Sequence, residues 1–150
     1  MNIAEVIENF LGYVFEAEPI LDGELTELIT HLDKLALSVA NSNYVFDSTD
    51  YPDAPDCNYK ETYEKISKRF PMLEHYNGVV DVSTNISSTE FSLGDAIDDI
   101  ADIVGDLEEV LWCFKNTSVN DALWNFHNSF KTHWGRHLRD LQLHLHDLSY

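Results

Sequence analysis

From Leu123 to Leu148 the chain keeps one apolar stripe: Leu123, Phe126, Phe130, Trp134, Leu138, Leu141, Leu145 and Leu148 recur every three or four residues. That period puts side chains on one side of an α-helix and is incompatible with a strand over such a span. A second run has the same spacing: Ile97, Ile100, Ile103, Val104, Leu107, Val110 and Leu111. Two long helices of this kind must bury their stripes against each other or against further helices. The chain is therefore expected to form an all-α, mostly up-down bundle.

Three more helices fit the pattern. Ile3, Val6, Ile7, Phe10, Leu11 and Val14 predict a helix over residues 2–18, ended by Pro19. Leu25, Leu28, Ile29, Leu32, Leu35, Ala36 and Val39 predict another, from about Glu24 to the Asn41-Ser42-Asn43 cluster. A shorter, polar helix is expected over 59–70 and holds four of the nine basic residues: Lys60, Lys65, Lys68 and Arg69. Two segments read as irregular. Residues 46–58 contain Pro52, Pro55 and repeated aspartates, and residues 77–91 are rich in Gly, Val, Ser and Thr. The latter have room for a short extended piece at 78–82. Ser92 is expected to cap the fourth helix, with Asp95 three residues on, and Ser118 to cap the fifth in the same way. A chain of 150 residues buries roughly 70% of its unfolded surface, so 1–150 reads as one domain with one core.

Charge narrows the partners. There are 27 acids against 9 Lys plus Arg, a net charge of -18. Phosphate backbones and anionic membranes both call for Lys and Arg, so nucleic acid and membrane surfaces are excluded as partners. A basic protein, a cation or a small neutral ligand remains. Cys57 and Cys113 form no CxxC pair, which suggests reduced thiols. Met1-Asn2-Ile3-Ala4-Glu5 lacks the basic region of a signal peptide. A cytoplasmic location is the expectation.

Two groups of residues carry candidate chemistry. The first is the aspartate row Asp95, Asp98, Asp99, Asp102 and Asp106. At about 100° per residue, the other four fall within about 60° of Asp95, on the face opposite the apolar stripe. Read so, they point to water: either a solvated polar face, or a surface kept acidic for a basic partner, a cation, or the basic residues of the 59–70 helix. The pattern Asp98-Asp99-Ile100-Ala101-Asp102 also spells DDxxD, which chelates magnesium–diphosphate in terpene synthases. Five residues are a small match to those much longer chains. The loop at 47–58 is not an EF-hand, because Pro52 and Asn58 stand where a Gly and a Glu are required.

The second group is histidine. His127, His133, His137, His144 and His146 lie on the last helix. His133 and His137 are four apart, so both side chains can meet one metal ion. His144 lies about 10 Å farther along the axis, too far to join them. The pair is a half-site that needs carboxylates from another helix, and Asp99 and Asp102 complete one candidate set. The alternative is a pair of edge histidines hydrogen-bonded to neighbouring acids. No HExxH and no nucleophile motif is present.

The residues from Ser92 to Leu107, together with Phe130-Lys131-Thr132-His133-Trp134-Gly135-Arg136-His137 and Leu143-His144, resemble a family of small bacterial helical proteins of unknown function. That family carries an Asp-Asp-x-x-Asp-Ile helix and a Phe-x-x-His-Trp-Gly-x-His helix. The resemblance brings no activity. It implies that Asp98, Asp99, Asp102, Asp106, His133, Trp134 and His137 act as a set, either as a shared surface or as a lock between the last two helices.

The sequence thus leads first to a non-enzymatic acidic protein that docks on a basic protein partner, as an immunity protein or an accessory subunit does. Its surface would comprise Asp95, Asp98, Asp99, Asp102, Asp106 and Trp134, with no cofactor. The competing expectation is a divalent-metal-dependent, phosphohydrolase-like helical enzyme using Asp99, Asp102, His133 and His137. The two differ in one geometric respect, which is whether the aspartate row and the histidine pair converge.

Overall fold

The structure, a computed structural model, describes residues 1–150. Its helices are α1 (Ile3–Val14), α2 (Thr26–Ala40), α3 (Tyr59–Arg69), α4 (Ala96–Asn116), α5 (Val119–Ser129) and α6 (Gly135–Ser149). A π-helical turn, Phe130–Trp134, joins α5 to α6, so these form one uninterrupted rod. The expected bundle of five helical segments is present. It is accompanied by an element the composition did not announce, an antiparallel hairpin of β1 (His75–Val79) and β2 (Phe91–Asp95).

The helix α4 is the centre of the fold. It packs against α1, α3, α5 and α6 and receives the end of β2. Its stripe of Ile100, Ile103, Val104 and Leu107 is fully buried, as are Phe10 of α1, Leu32 of α2, Ile66 of α3 and Leu141 of α6. These belong to one cluster of 26 buried apolar residues that draws on every helix. No helix is long and apolar enough to cross a membrane.

Helix starts follow capping chemistry, with one correction. Asn2, Asn58 and Ser118 each accept a backbone N–H from the first turn of α1, α3 and α5. Ser92, expected to cap α4, instead lies inside β2. The cap is Asp95, whose side chain accepts the N–H groups of Ile97 and Asp98. The alternation Phe91, Leu93 against Ser92, Gly94 has period two and extends the backbone until Asp95. Gly94 is required there, because a Cβ would lie 2.3 Å from the Tyr76 ring on the facing strand.

The π turn has its own origin in the sequence. Phe126, Phe130, Trp134 and Leu138 are spaced four, four and four, about one residue more than three ideal turns accommodate. A π turn takes up that extra residue, so Phe126, Trp134 and Leu138 all stay fully buried. Gly135 closes the turn. A Cβ at this position would sit 2.3 Å from the Phe130 carbonyl oxygen.

These contacts predict opposite outcomes for two Gly→Ala changes. Gly135→Ala gains helix propensity but clashes with backbone, and is expected to lose about 1–3 kcal/mol of stability. Gly12→Ala, on the exposed side of α1 with nothing within 4 Å, is expected to gain up to about 1 kcal/mol. Urea unfolding of both variants measures the contrast, and equal shifts would contradict the clash.

Candidate metal centre

The aspartate row does not face open water. Because α4 is covered on several sides, the groove beside its apolar stripe lies between α3 and the hairpin on one flank and the π turn and α6 on the other. Asp95, Asp98, Asp102 and Asp106 are half-buried, and Asp99 retains only 5% exposure. The expectation that the row lies wholly on the solvent side is therefore corrected for Asp99. Trp134, grouped with it as a surface residue, is completely buried. It packs on Phe126 and Phe130 and donates its indole N–H to Ser129 Oγ at 3.1 Å.

Each carboxylate of the row has a partner. Tyr63 of α3 donates to Asp95 at 2.7 Å, and Tyr59 donates to Asp98. Tyr76 of β1 donates to Asp99. The basic residues of α3 do not meet the row. Lys65 pairs with Glu61 at 3.0 Å, and the buried Arg69 reaches Glu16 and the backbone of Tyr13 and Glu18. Burial and the adjacent carboxylates hold the Tyr59 and Tyr76 hydroxyls protonated, well above the ordinary tyrosine range. They therefore act as fixed donors.

The two histidines converge on the same row. His137 Nδ1 lies 2.7 Å from Asp99 Oδ1, and its Nε2 lies 3.2 Å from Asp102 Oδ2. His133 Nδ1 lies 2.8 Å from Asp106 Oδ2, and its Nε2 lies 4.0 Å from Asp102 Oδ1. A carboxylate only accepts, so each Nδ1 carries its proton toward Asp99 or Asp106. Each Nε2 is left turned to Asp102. The hydrogen bond to Asp99, with Asp102 adding, holds the His137 imidazolium above the ordinary histidine range despite its burial. Burial raises the carboxyls of Asp102 and Asp106, and Asp98 adds to the rise at Asp102.

This donor set suits a metal ion. Asp102, His133 and His137 offer ligand atoms within 4.8 Å of one another. Two imidazoles, each fixed through Nδ1 by a carboxylate and presenting Nε2, form the arrangement that orients histidine ligands around zinc and other first-row ions. Asp98, Asp99 and His137 make a second convergent group. There, however, Asp99 already serves Tyr76 and His137, and Asp98 serves Tyr59. His144 stands outside both groups, stacked on Tyr76 at 4.5 Å. A cleft of about 440 Å³ opens beside the first group. It runs between loop residues 54–57 and α4, over Ala101 and Gly105, with Asp102, Asp106, His133, Glu109 and Trp112 in its walls. No Lys or Arg lines it.

The whole chain, residues 1–150, matches the family described as a domain of unknown function, DUF5063. The chain belongs to this family. Among solved structures, the DUF5063 chain is similar to protein BF1032 from Bacteroides fragilis, with 19% identity and a TM-score of 0.77. The match covers 99% of this chain and 90% of that one. At that identity the likeness concerns the fold alone. No curated protein matches.

The Tyr hydroxyls escaped sequence reasoning, although Tyr59 and Tyr63 are four apart and so share a helix face. Nothing in the sequence tied β1, and with it Tyr76, to α4.

The His137–Asp99 contact makes a signed prediction. Its folded pKa is raised, so its contribution to stability is full below the ordinary histidine value of about 6.5 and is lost as pH rises through the raised value. In chelator-treated protein, His137→Gln is therefore expected to cost more at pH 6 than at pH 8.5. Asp99→Ala removes the partner of His137 Nδ1 and of the Tyr76 hydroxyl and is expected to cost about 3 kcal/mol at pH 6. Denaturant unfolding at both pH values provides the test, and a His137→Gln cost independent of pH would contradict the assignment.

Proposed function

We propose that this chain is a divalent-metal-dependent helical protein with an enzyme-type centre. Asp102, His133 and His137 hold the ion, and Asp99 and Asp106 orient the two imidazoles. One observation carries this reading: both Nε2 atoms are turned to the same carboxylate while both Nδ1 atoms are engaged behind them. Three protein ligands are the number used by catalytic zinc sites and by two-histidine, one-carboxylate iron sites, which keep positions free for water or substrate. When bound, such an ion supplies Lewis-acid chemistry suited to hydrolysis. The chain's own part is positional. His137 gives up its Nε2 proton to bind, the tyrosines hold the row in register, and the cleft admits a small molecule. The absence of Lys and Arg from the cleft walls gives a phosphate ester no side-chain cation, so neutral ester and amide substrates fit these walls better than phosphohydrolysis does.

A basic protein partner remains as a second reading, favoured by the net charge of -18. The aspartates expected to form that surface are engaged with tyrosines and histidines, so the row is a poorer docking face than its charge suggests.

Titration calorimetry of chelator-treated protein with Zn²⁺ and Mn²⁺ tests the metal reading. One ion per chain is expected, with affinity that weakens as pH falls, because His137 must lose a proton. His133→Ala, His137→Ala and Asp102→Asn are each expected to abolish binding. Asp99→Asn is expected to weaken it by about 10–100-fold through the lost orientation. Absence of saturable binding in the wild type, or binding unaffected by all four substitutions, would remove the reading.

A further inference from the structure

We propose that the outward face of the β1–β2 hairpin docks a basic protein segment, one that alternates apolar residues with Lys or Arg. This inference does not rest on the metal reading. The pairing His75↔Asp95, Tyr76↔Gly94, Asn77↔Leu93, Gly78↔Ser92, Val79↔Phe91 fixes which side chains share a face. Tyr76 turns inward, over Gly94 and onto Asp99. Phe91 and Leu93 turn outward on the side of Val79. Phe91 is 87% exposed and Leu93 76%, where the apolar face of a sheet is ordinarily covered. Isolated apolar residues on a surface are ordinary, but two large ones side by side on one strand face, next to the partly exposed Val79, form an apolar strip of the kind that marks an interaction site.

Charge decides the occupant. From Glu74 to Asp95 the hairpin holds Glu74, Asp81, Glu90 and Asp95 and neither Lys nor Arg. The hairpin's own side chains are thus apolar, polar or acidic, and Arg136 of α6, which touches it at the Val79 carbonyl, is itself paired with Asp140 at 2.9 Å. A second copy of this chain would bring a further charge of -18 against the hairpin, and an anionic membrane would be repelled likewise. A protein segment with apolar side chains on one face and Lys or Arg around them suits both the apolar strip and the acidic side chains. The edge of β1 already takes Arg136 of α6 on the Val79 carbonyl at 2.8 Å, which leaves the edge of β2, the strand of Phe91 and Leu93, to pair with an extended segment.

The experiment uses a short synthetic peptide of alternating Val and Lys, with the corresponding Val and Glu peptide as control, titrated into ¹⁵N-labelled full chain. Amide shifts are expected to concentrate in residues 75–95. The double variant Phe91→Ser/Leu93→Ser is expected to bind about tenfold more weakly or worse, and affinity should fall with added salt. Both side chains are exposed, so circular dichroism should report an unchanged fold. Should that variant unfold, the single changes Phe91→Ser and Leu93→Ser test the same face separately. Shifts centred on α4 or spread over the surface, equal binding of the Glu peptide, or undiminished binding by a folded double variant would each overturn the proposal. A concentration-dependent dimer or neutral-vesicle binding that the double variant loses would also overturn it, assigning the patch to a second copy or to lipid.

Discussion

A carboxylate inside the bundle sets the terms for everything around it. Removing a charge from water costs several kcal/mol unless partners replace the lost hydration. Asp99 finds its partners on elements distant in sequence: the Tyr76 hydroxyl from β1 and the His137 imidazole from α6. Both must be in place for the buried charge to be tolerated, so the hairpin and the last helix are pinned to α4 at one point. The apolar cluster supplies most of the cohesion, but it is non-directional. The Tyr76–Asp99–His137 chain fixes how the elements are turned.

The same arrangement relieves the repulsion that five neighbouring aspartates would otherwise suffer. Two mechanisms share the task. Tyrosines donate hydrogen bonds without adding charge, His137 adds positive charge at Asp99 and Asp102, and His133 donates a hydrogen bond to Asp106. Lys and Arg are absent from this role, which keeps the site free of permanent cations. An imidazole, unlike an arginine guanidinium, loses a proton readily near neutral pH.

Much of this was legible in the sequence. Helices announce themselves by a period of 3.6 residues, and α1, α2, α3 and α4 begin and end within a few residues of the expected places. The Ser118 cap and the 46–58 loop also lie where expected. The hairpin was harder to see. Its strands are five residues each, and Ser92-Leu93-Gly94-Asp95 satisfies a capping pattern and a strand pattern equally well; only the tertiary contact of Gly94 with Tyr76 decides. The aspartate row was read as one helix face and assigned to water, because a helical wheel knows one buried stripe and α4 is enclosed on more than one side; Asp95 in fact ends β2 and caps α4. The histidine pair was matched with Asp99 and Asp102 by residue type alone, and what a wheel lacks is the packing of α6 on α4 that brings His137 to 2.7 Å from Asp99 and 3.2 Å from Asp102.

The π turn at 130–134 bears on how this chain compares with others of its fold. It stores one surplus residue within a helix whose two ends keep the same buried face. A related chain with an ordinary α-helix at this place must be one residue shorter between the counterparts of Phe126 and Leu138, or its closing helix would be rotated by about 100°. A single-residue gap opposite Phe130–Trp134 is thus a structural marker, and a gap-free match that lacks Gly135 signals a differently turned final helix.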